Sequence, residues 1–143
     1  MSDCENRRAE RGFTLIELIV VLVILSLLAA VVAPNIFKHM SSSKSKIAAI
    51  QIAEFEGALQ MFAFDVGRYP TTEEGLQALV SNPANLETWH GPYLKKVLPM
   101  DPWARPYIYK FPGTHGTEFD LFSYGPDGVE GGDGDNADIT NWK

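Results

Sequence analysis

The chain has 143 residues and a formal net charge of −6, and its one cysteine is Cys4, near the N-terminus. A chain of this length holds one small domain, and a single cysteine excludes an intrachain disulfide. The acidic balance argues against nucleic-acid binding, because phosphate contacts require clustered Lys and Arg.

The first predicted element is an uninterrupted apolar run from Phe13 to Ala33. As a helix it would span about 32 Å at roughly 1.5 Å per residue, which matches the hydrocarbon core of a bilayer. A cleaved secretory signal is the alternative, but its apolar region is only about 7–15 residues long. The run therefore predicts one membrane-spanning helix. Basic residues lie on both sides of it in similar number, so charge alone leaves the orientation open.

Pro34 ends the apolar run and disfavours helical geometry at Ala33, which predicts a kink or a locally unwound turn there. The helix is then expected to resume as an amphipathic helix that stops near Gly67. Its apolar stripe follows alternating steps of four and three residues, and it consists of Ala48, Ile52, Phe55, Leu59, Phe62 and Val66.

Beyond Gly67, Thr71 and Glu74 have the spacing of a capping box for a short helix around Leu76 to Val80. Alternating side chains in segments 106–111 and 118–124 predict a β-hairpin whose apolar face lies on the helix stripe. The predicted fold class is therefore α+β, with a long N-terminal helix packed on a small antiparallel β-sheet.

The C-terminal run from Tyr124 to Thr140 places several carboxylates on a glycine-rich backbone. Such oxygen donors suit Ca²⁺, whereas a zinc site would need His or Cys. The spacing does not match an EF-hand. A solvated acidic loop without a metal is the alternative.

Glu17 lies inside the apolar run, where an acid at bilayer depth costs about 2.5–3.5 kcal/mol. Such a residue needs a partner. The string from Arg11 to Glu17 (RGFTLIE) resembles the class III signal of type IV pilins and pseudopilins. This resemblance implies that a prepilin peptidase cuts between Gly12 and Phe13, methylates the new amine of Phe13, and leaves the N-terminus in the cytoplasm. For Gly12 alone, a flexible joint is the alternative.

The resemblance also implies a role for Glu17, whose carboxylate would meet the Phe13 amine of a neighbouring subunit and set the axial register of a filament. A protonated acid near the membrane interface is the alternative.

Segments 68–79, 91–96 and 101–103 resemble the major pseudopilins of bacterial type II secretion. Type IVa pilins usually close a C-terminal loop with two cysteines, and this sequence has none there. A type IV pilin or competence pilus subunit is the alternative. The implied organisation is a cleaved leader (1–12), a transmembrane helix (13–34), its amphipathic continuation (35–66) and a periplasmic domain with a calcium loop (67–143).

Major pseudopilins carry one calcium ion in this loop, so the resemblance implies which residues bind it. The implied side-chain ligands are Asp127 and Asp138 first, then Asp135, and less strongly Asp133, with backbone carbonyls near Tyr124 and Val129.

The resemblance implies a bacterial inner-membrane protein that polymerises with itself into a periplasmic filament and helps to move folded exoproteins across the outer membrane. Implied partners are minor pseudopilins, an inner-membrane assembly platform, the prepilin peptidase and, before assembly, membrane lipid. A membrane-tethered hydrolase is the rival class. However, His39, His90 and His115 are scattered without the spacing of a nucleophile, base and orienting group, so no catalytic residue is predicted.

Overall fold

The computed structural model describes residues 12–95 and 97–143, apart from the side chains of residues 35, 37 and 38. The predicted leader therefore lies outside the described residues except for Gly12. The chain divides into two compact units at the junction between Phe37 and Lys38. Each unit is described by itself below.

One helix, α1, runs from Leu15 to Val66 and contains Pro34. The predicted unwound turn is not formed, because the residues on both sides of Pro34 are helical. Proline lacks one backbone donor, but its fixed φ of about −65° is a helical value, so a long helix tolerates it. The helix ends where predicted. Gly67 has φ +83° and its N–H donates to the Ala63 carbonyl at 2.8 Å.

In the unit from Lys38 onward, the predicted apolar stripe is confirmed as the core-facing side of α1. Ala48, Ile52, Phe55, Leu59 and Phe62 are all buried, and Val66 packs at the edge of the core. Burying a large apolar side chain contributes about 1.5–3 kcal/mol. The stripe therefore supplies much of the driving force for folding this unit.

The predicted hairpin is confirmed as strands β1 (Ile108–Lys110) and β2 (Asp120–Ser123), which pair antiparallel with Tyr109 opposite Leu121. Its apolar face packs on the stripe, as predicted. The ring of Tyr107 lies edge-on to Phe55 with 5.1 Å between the ring centroids. The predicted fold class is thus confirmed.

The sheet has a third strand that the sequence did not predict. Strand β3 (Ile139–Thr140) pairs antiparallel with β2, which becomes the central strand of the order β1-β2-β3. All four residues of β2 are buried, and Trp142, which follows β3, packs edge-on against Phe122 with 5.5 Å between the ring centroids.

The remaining elements are three short 3-10 helices, at Leu76–Leu79, Pro83–Asn85 and Gly134–Asn136. The first confirms the predicted short helix, which is of the 3-10 type. Thr71 and Glu74 exchange the two hydrogen bonds of a capping box, at 2.8 and 3.2 Å. These bonds close the turn that leads into the 3-10 helix.

Candidate functional site

The predicted processing site lies ahead of α1. Gly12 and Phe13 are outside regular secondary structure, and Phe13 is 87% exposed. A side chain built at Gly12 would meet no atom within 4 Å. Both residues on either side of the predicted cut are therefore accessible in the subunit.

Glu17 lies in the first turn of α1 and contacts Thr14. The Thr14 N–H and hydroxyl lie 3.4 and 3.5 Å from Glu17 Oε2, and the Glu17 N–H donates to the Thr14 hydroxyl at 3.3 Å. This is a weak capping box. The spacing Thr-x-x-Glu indicates this capping box, which was not among the predictions made from the sequence. In the single subunit, Glu17 thus partly satisfies the free amides at the start of its own helix.

The first part of α1 is apolar on all sides and exposed along its length within the described unit. By length and composition it is suited to cross a membrane. Side chains such as Leu15 at 79% and Leu27 at 65% exposure would be costly in water. The segment therefore requires lipid or other helices around it.

The acidic loop runs from Tyr124 to Asp138 and holds all four predicted side-chain ligands. The Val129 N–H donates to Asp127 Oδ1 at 3.1 Å, and the Gly131 N–H donates to Asp138 Oδ2 at 2.9 Å. Asp133 and Asp135 lie at the 3-10 turn and are exposed. Within residues 12–95 and 97–143, no three Asp, Glu, His or Cys side chains converge as a metal site.

The predicted donors therefore stand apart, but one of them has an unused ligand atom. Asp138 Oδ1 is buried without a hydrogen-bond partner, and so is the Thr140 hydroxyl two residues later. Asp138 directly precedes β3, and Thr140 is the second residue of that strand. An unpaired buried oxygen is costly, and a cation would satisfy it. This chemistry fits Ca²⁺. Thr140 was not among the ligands predicted from the sequence.

A buried carboxylate outside the loop, also missed from sequence, anchors its start. Asp101 Oδ2 accepts a 2.6 Å hydrogen bond from the Ser123 hydroxyl, and that hydroxyl accepts the Gly125 N–H at 3.2 Å. Asp101 is 5% exposed and Ser123 is fully buried. The beginning of the acidic loop is therefore tied to the domain core.

One histidine belongs to a cluster that superficially resembles a catalytic triad. His115 Nδ1 lies 2.9 Å from Asp120 Oδ2 and 3.2 Å from the Thr114 hydroxyl. Both partners contact the same ring nitrogen, so the ring cannot pass a proton from one to the other in the way a triad does. The ring also stacks on Trp142 with 4.0 Å between centroids. The cluster holds the β1–β2 turn against the C-terminus.

A long helix whose first part is exposed and apolar, and whose second part packs on a small antiparallel sheet, defines the class of pilin-like, membrane-anchored subunits. Comparisons with known proteins agree. Residues 7–33 match the family model described as "Prokaryotic N-terminal methylation motif", and residues 35–142 match "Type II secretion system (T2SS), protein G".

Relatives match over nearly the whole chain. The "Type II secretion system core protein G" of Pseudomonas aeruginosa is 47% identical over 96% of this chain and 98% of its own length, and that of Vibrio cholerae is 46% identical over 96% and 95%. The solved major pseudopilin from the type 2 secretion system of enterohaemorrhagic Escherichia coli is similar with a TM-score of 0.63 and 35% identity. The match covers 73% of this chain and 87% of the solved chain.

The chain belongs to the type II secretion system protein G family, the major pseudopilins. The resemblance inferred from the sequence is thereby confirmed. The comparisons do not favour the alternative of a type IV pilin or competence pilus subunit.

Proposed function

We propose that the protein is the major structural subunit of a type II secretion pseudopilus, which polymerises into a periplasmic filament that helps to drive folded exoproteins across the outer membrane. Family membership supports this function. The observation in the subunit itself that carries it is a second apolar stripe on α1, which lies on the side of the helix away from the domain core.

This outer stripe consists of Ile47, Ile50, Met61 and Phe64. Their exposed fractions are 49, 61, 64 and 89%, respectively. With Glu54 and Gly57 between them, the positions follow steps of three and four residues, which places them on one face of the helix. At about 100° per residue, this face is nearly opposite to the buried stripe.

The second part of α1 therefore carries exposed apolar side chains nearly opposite to its buried stripe, although Glu54 interrupts them. A single small domain can bury only one of these two faces. The buried stripe serves the sheet, and the outer stripe remains for another partner. The repeating spacing of the outer stripe is that of helix-helix contacts, and the small residue Gly57 allows close approach of a second helix. A neighbouring copy of α1 would supply such a helix and would also surround the apolar first part.

Processing would prepare the subunit to leave the lipid bilayer and to pack against other subunits. The accessible positions of Gly12 and Phe13 support cleavage between them by a prepilin peptidase and methylation of the new Phe13 amine. In the filament, Glu17 would give up its weak contacts with Thr14 for the Phe13 amine of a neighbour. An ion pair in this apolar setting would fix the axial register.

The proposed location is the bacterial inner membrane, with a cytoplasmic N-terminus and a periplasmic C-terminal domain. The proposed partners are further copies of the chain, minor pseudopilins, the inner-membrane assembly platform, the prepilin peptidase and membrane lipid before assembly. The net charge of −6 gives no support for nucleic-acid binding.

We further propose that the acidic loop binds one Ca²⁺. The unpaired Asp138 Oδ1 supports this proposal, with Asp127 as the next side-chain ligand, then Asp135, then Asp133, and with carbonyls near Tyr124 and Val129. Thr140 is an additional candidate. When bound, the ion would join the first arm of the acidic loop (residues 124–129) to its second arm (residues 133–138) and would neutralise part of the negative charge of both.

Replacing Phe64 by Ser tests the filament function. The side chain is 89% exposed, so its loss should change the free energy of unfolding by less than about 0.5 kcal/mol. If Phe64 is buried between subunits, losing about 1.5–3 kcal/mol per contact should reduce filament yield by roughly tenfold or more. The measurement is filament yield in cells that carry the secretion system.

Val97→Ser is the matched control, because Val97 is an apolar residue that is 83% exposed and lies outside α1. It should leave filament yield unchanged. Glu17→Gln, assayed alongside, should abolish assembly. Normal yield from the Phe64 and Glu17 variants would contradict the proposed function.

A further inference from the structure

Arg105 holds two consecutive carbonyls at the start of the acidic loop. Its Nη1 donates to the Gly125 carbonyl at 2.6 Å, and its Nη2 donates to the Pro126 carbonyl at 3.1 Å. The two bonds use the fork of the guanidinium, which fixes the direction of both carbonyls as a single ammonium could not. We propose that Arg105 is the positioning residue that shapes the first arm of the loop for cation binding, an inference that rests on the proposed calcium site.

The backbone of Arg105 is itself fixed by a tight turn. The Arg105 N–H donates to Asp101 Oδ1 at 2.8 Å, and the Asp101 N–H donates back to the Arg105 carbonyl at 2.8 Å. Asp101 also holds Ser123, which accepts the Gly125 N–H. One turn, from Asp101 to Arg105, therefore holds Gly125 through both its N–H and its carbonyl.

The loop passes unusually close to the guanidinium at Gly128. This residue has φ +71°, and a Cβ built on it would lie 2.6 Å from Arg105 Cζ. Only glycine permits both the backbone conformation and the approach. Arg105 thus contacts the first arm at three successive places, Gly125, Pro126 and Gly128. The predicted carbonyl donors near Tyr124 and Val129 flank this stretch.

The positive charge of Arg105 by itself would act against cation binding. Among the described residues, Arg105 forms no ion pair with a carboxylate. Its positive charge therefore repels an incoming cation, and its removal would tighten binding if charge alone mattered. If Arg105 positions the carbonyls, its removal should instead weaken binding. The sign of the change distinguishes the two roles.

The test compares the calcium affinity of the full-length chain in detergent, measured by calorimetry, between wild type and Arg105→Met. Loss of a group that orients metal ligands typically costs about 10–100-fold in affinity, and we expect a loss in that range. In calcium-free protein, the Val129 amide should also exchange hydrogen faster in the variant. Arg105→Lys keeps the charge without the fork and should also bind more weakly than wild type.

Arg68→Met is the control, because Arg68 pairs with Glu74 away from the loop and its loss should leave calcium affinity unchanged. A second pair of variants covers the case in which Arg105→Met does not fold. Gly128→Ala pushes on the guanidinium and should weaken binding, whereas Gly116→Ala, which lies in the β1–β2 turn with φ +86° and no atom near its Cβ position, should not.

Equal or tighter binding by Arg105→Met, wild-type affinity of Arg105→Lys, or equal effects of the two glycine variants would overturn the inference. If wild type itself bound no calcium, the proposed calcium site would be wrong instead.

Discussion

Asp120 is a fully buried carboxylate at the start of β2. Burial by itself would raise its pKa, but hydrogen bonds from the Thr114 amide and hydroxyl and from His115 favour the charged form. Together they hold the pKa of Asp120 well below its ordinary value. Because its pKa is lowered by folding, Asp120 stabilises the native state above the pKa of the unfolded chain, about 3.9, and this contribution is lost as pH falls below it.

Asp120→Asn should therefore destabilise the domain at neutral pH by about 1.5–3 kcal/mol, the range for hydrogen bonds to a charged group. Its stability should also fall less steeply between roughly pH 5 and pH 2 than that of wild type. Urea unfolding at a series of pH values measures both effects. Glu130→Gln, an exposed acid, serves as the control. If the stability of Asp120→Asn fell as steeply as that of wild type over this acidic range, the role given to Asp120 would be wrong.

The turn after α1 is held by Glu74, which makes two kinds of contact. Glu74 caps the turn through the Thr71 N–H and also accepts two hydrogen bonds from Arg68, at 2.7 and 2.8 Å. The bonds from Arg68 lower the pKa of Glu74, assisted by the Thr71 amide, against the opposing effect of burial. Arg68 is 40% exposed, so solvent weakens the ion pair.

Two variants of Glu74 separate these two kinds of contact. Glu74→Gln keeps an oxygen for the Thr71 amide and should cost less than about 1 kcal/mol, whereas Glu74→Ala loses the cap and should cost about 1–2 kcal/mol. Thermal unfolding of both proteins measures the difference. Equal losses would mean that the ion pair, and not the cap, carries the stability of this turn.

Among the helices and strands, those with a repeating sequence pattern were the ones that could be predicted. The stripe on α1 and the alternation in segments 106–111 and 118–124 were predicted correctly, since each repeats over several turns or residues. Strand β3 is two residues long and has no period to detect. Of the two outcomes expected at Pro34, a kink or an unwound turn, the unwound turn does not form, because a single proline removes one helical hydrogen bond and the residues on both sides stay helical.

The proposed calcium site bears on the stability of the small domain. A domain of this size without a disulfide has a limited core, so a bound ion would contribute a sizeable share of its stability. Calcium at 100 times its Kd would add about 2.7 kcal/mol.

A calcium chelator should therefore lower the Tm of the full-length chain, as measured by thermal unfolding in detergent. Asp138→Asn can still accept the Gly131 N–H but supplies no charged ligand, so its Tm should not respond to the chelator. Glu130→Gln removes the same charge from the same loop and should respond like wild type. If the chelator left the Tm of wild type unchanged, or lowered the Tm of Asp138→Asn as much as that of wild type, the calcium site would be contradicted.

From local patterns, the sequence predicted the apolar first part of α1, the amphipathic helix that follows, the hairpin and the family. These depend on local composition and on periods that any helix or strand expresses. It also indicated which loop carries the acids. Tertiary structure alone decided that Asp101 and Arg105 hold that loop, that Asp138 and Thr140 leave buried oxygens unpaired, and that β3 completes the sheet. Those contacts join residues far apart in the chain, and no local pattern encodes which distant groups meet.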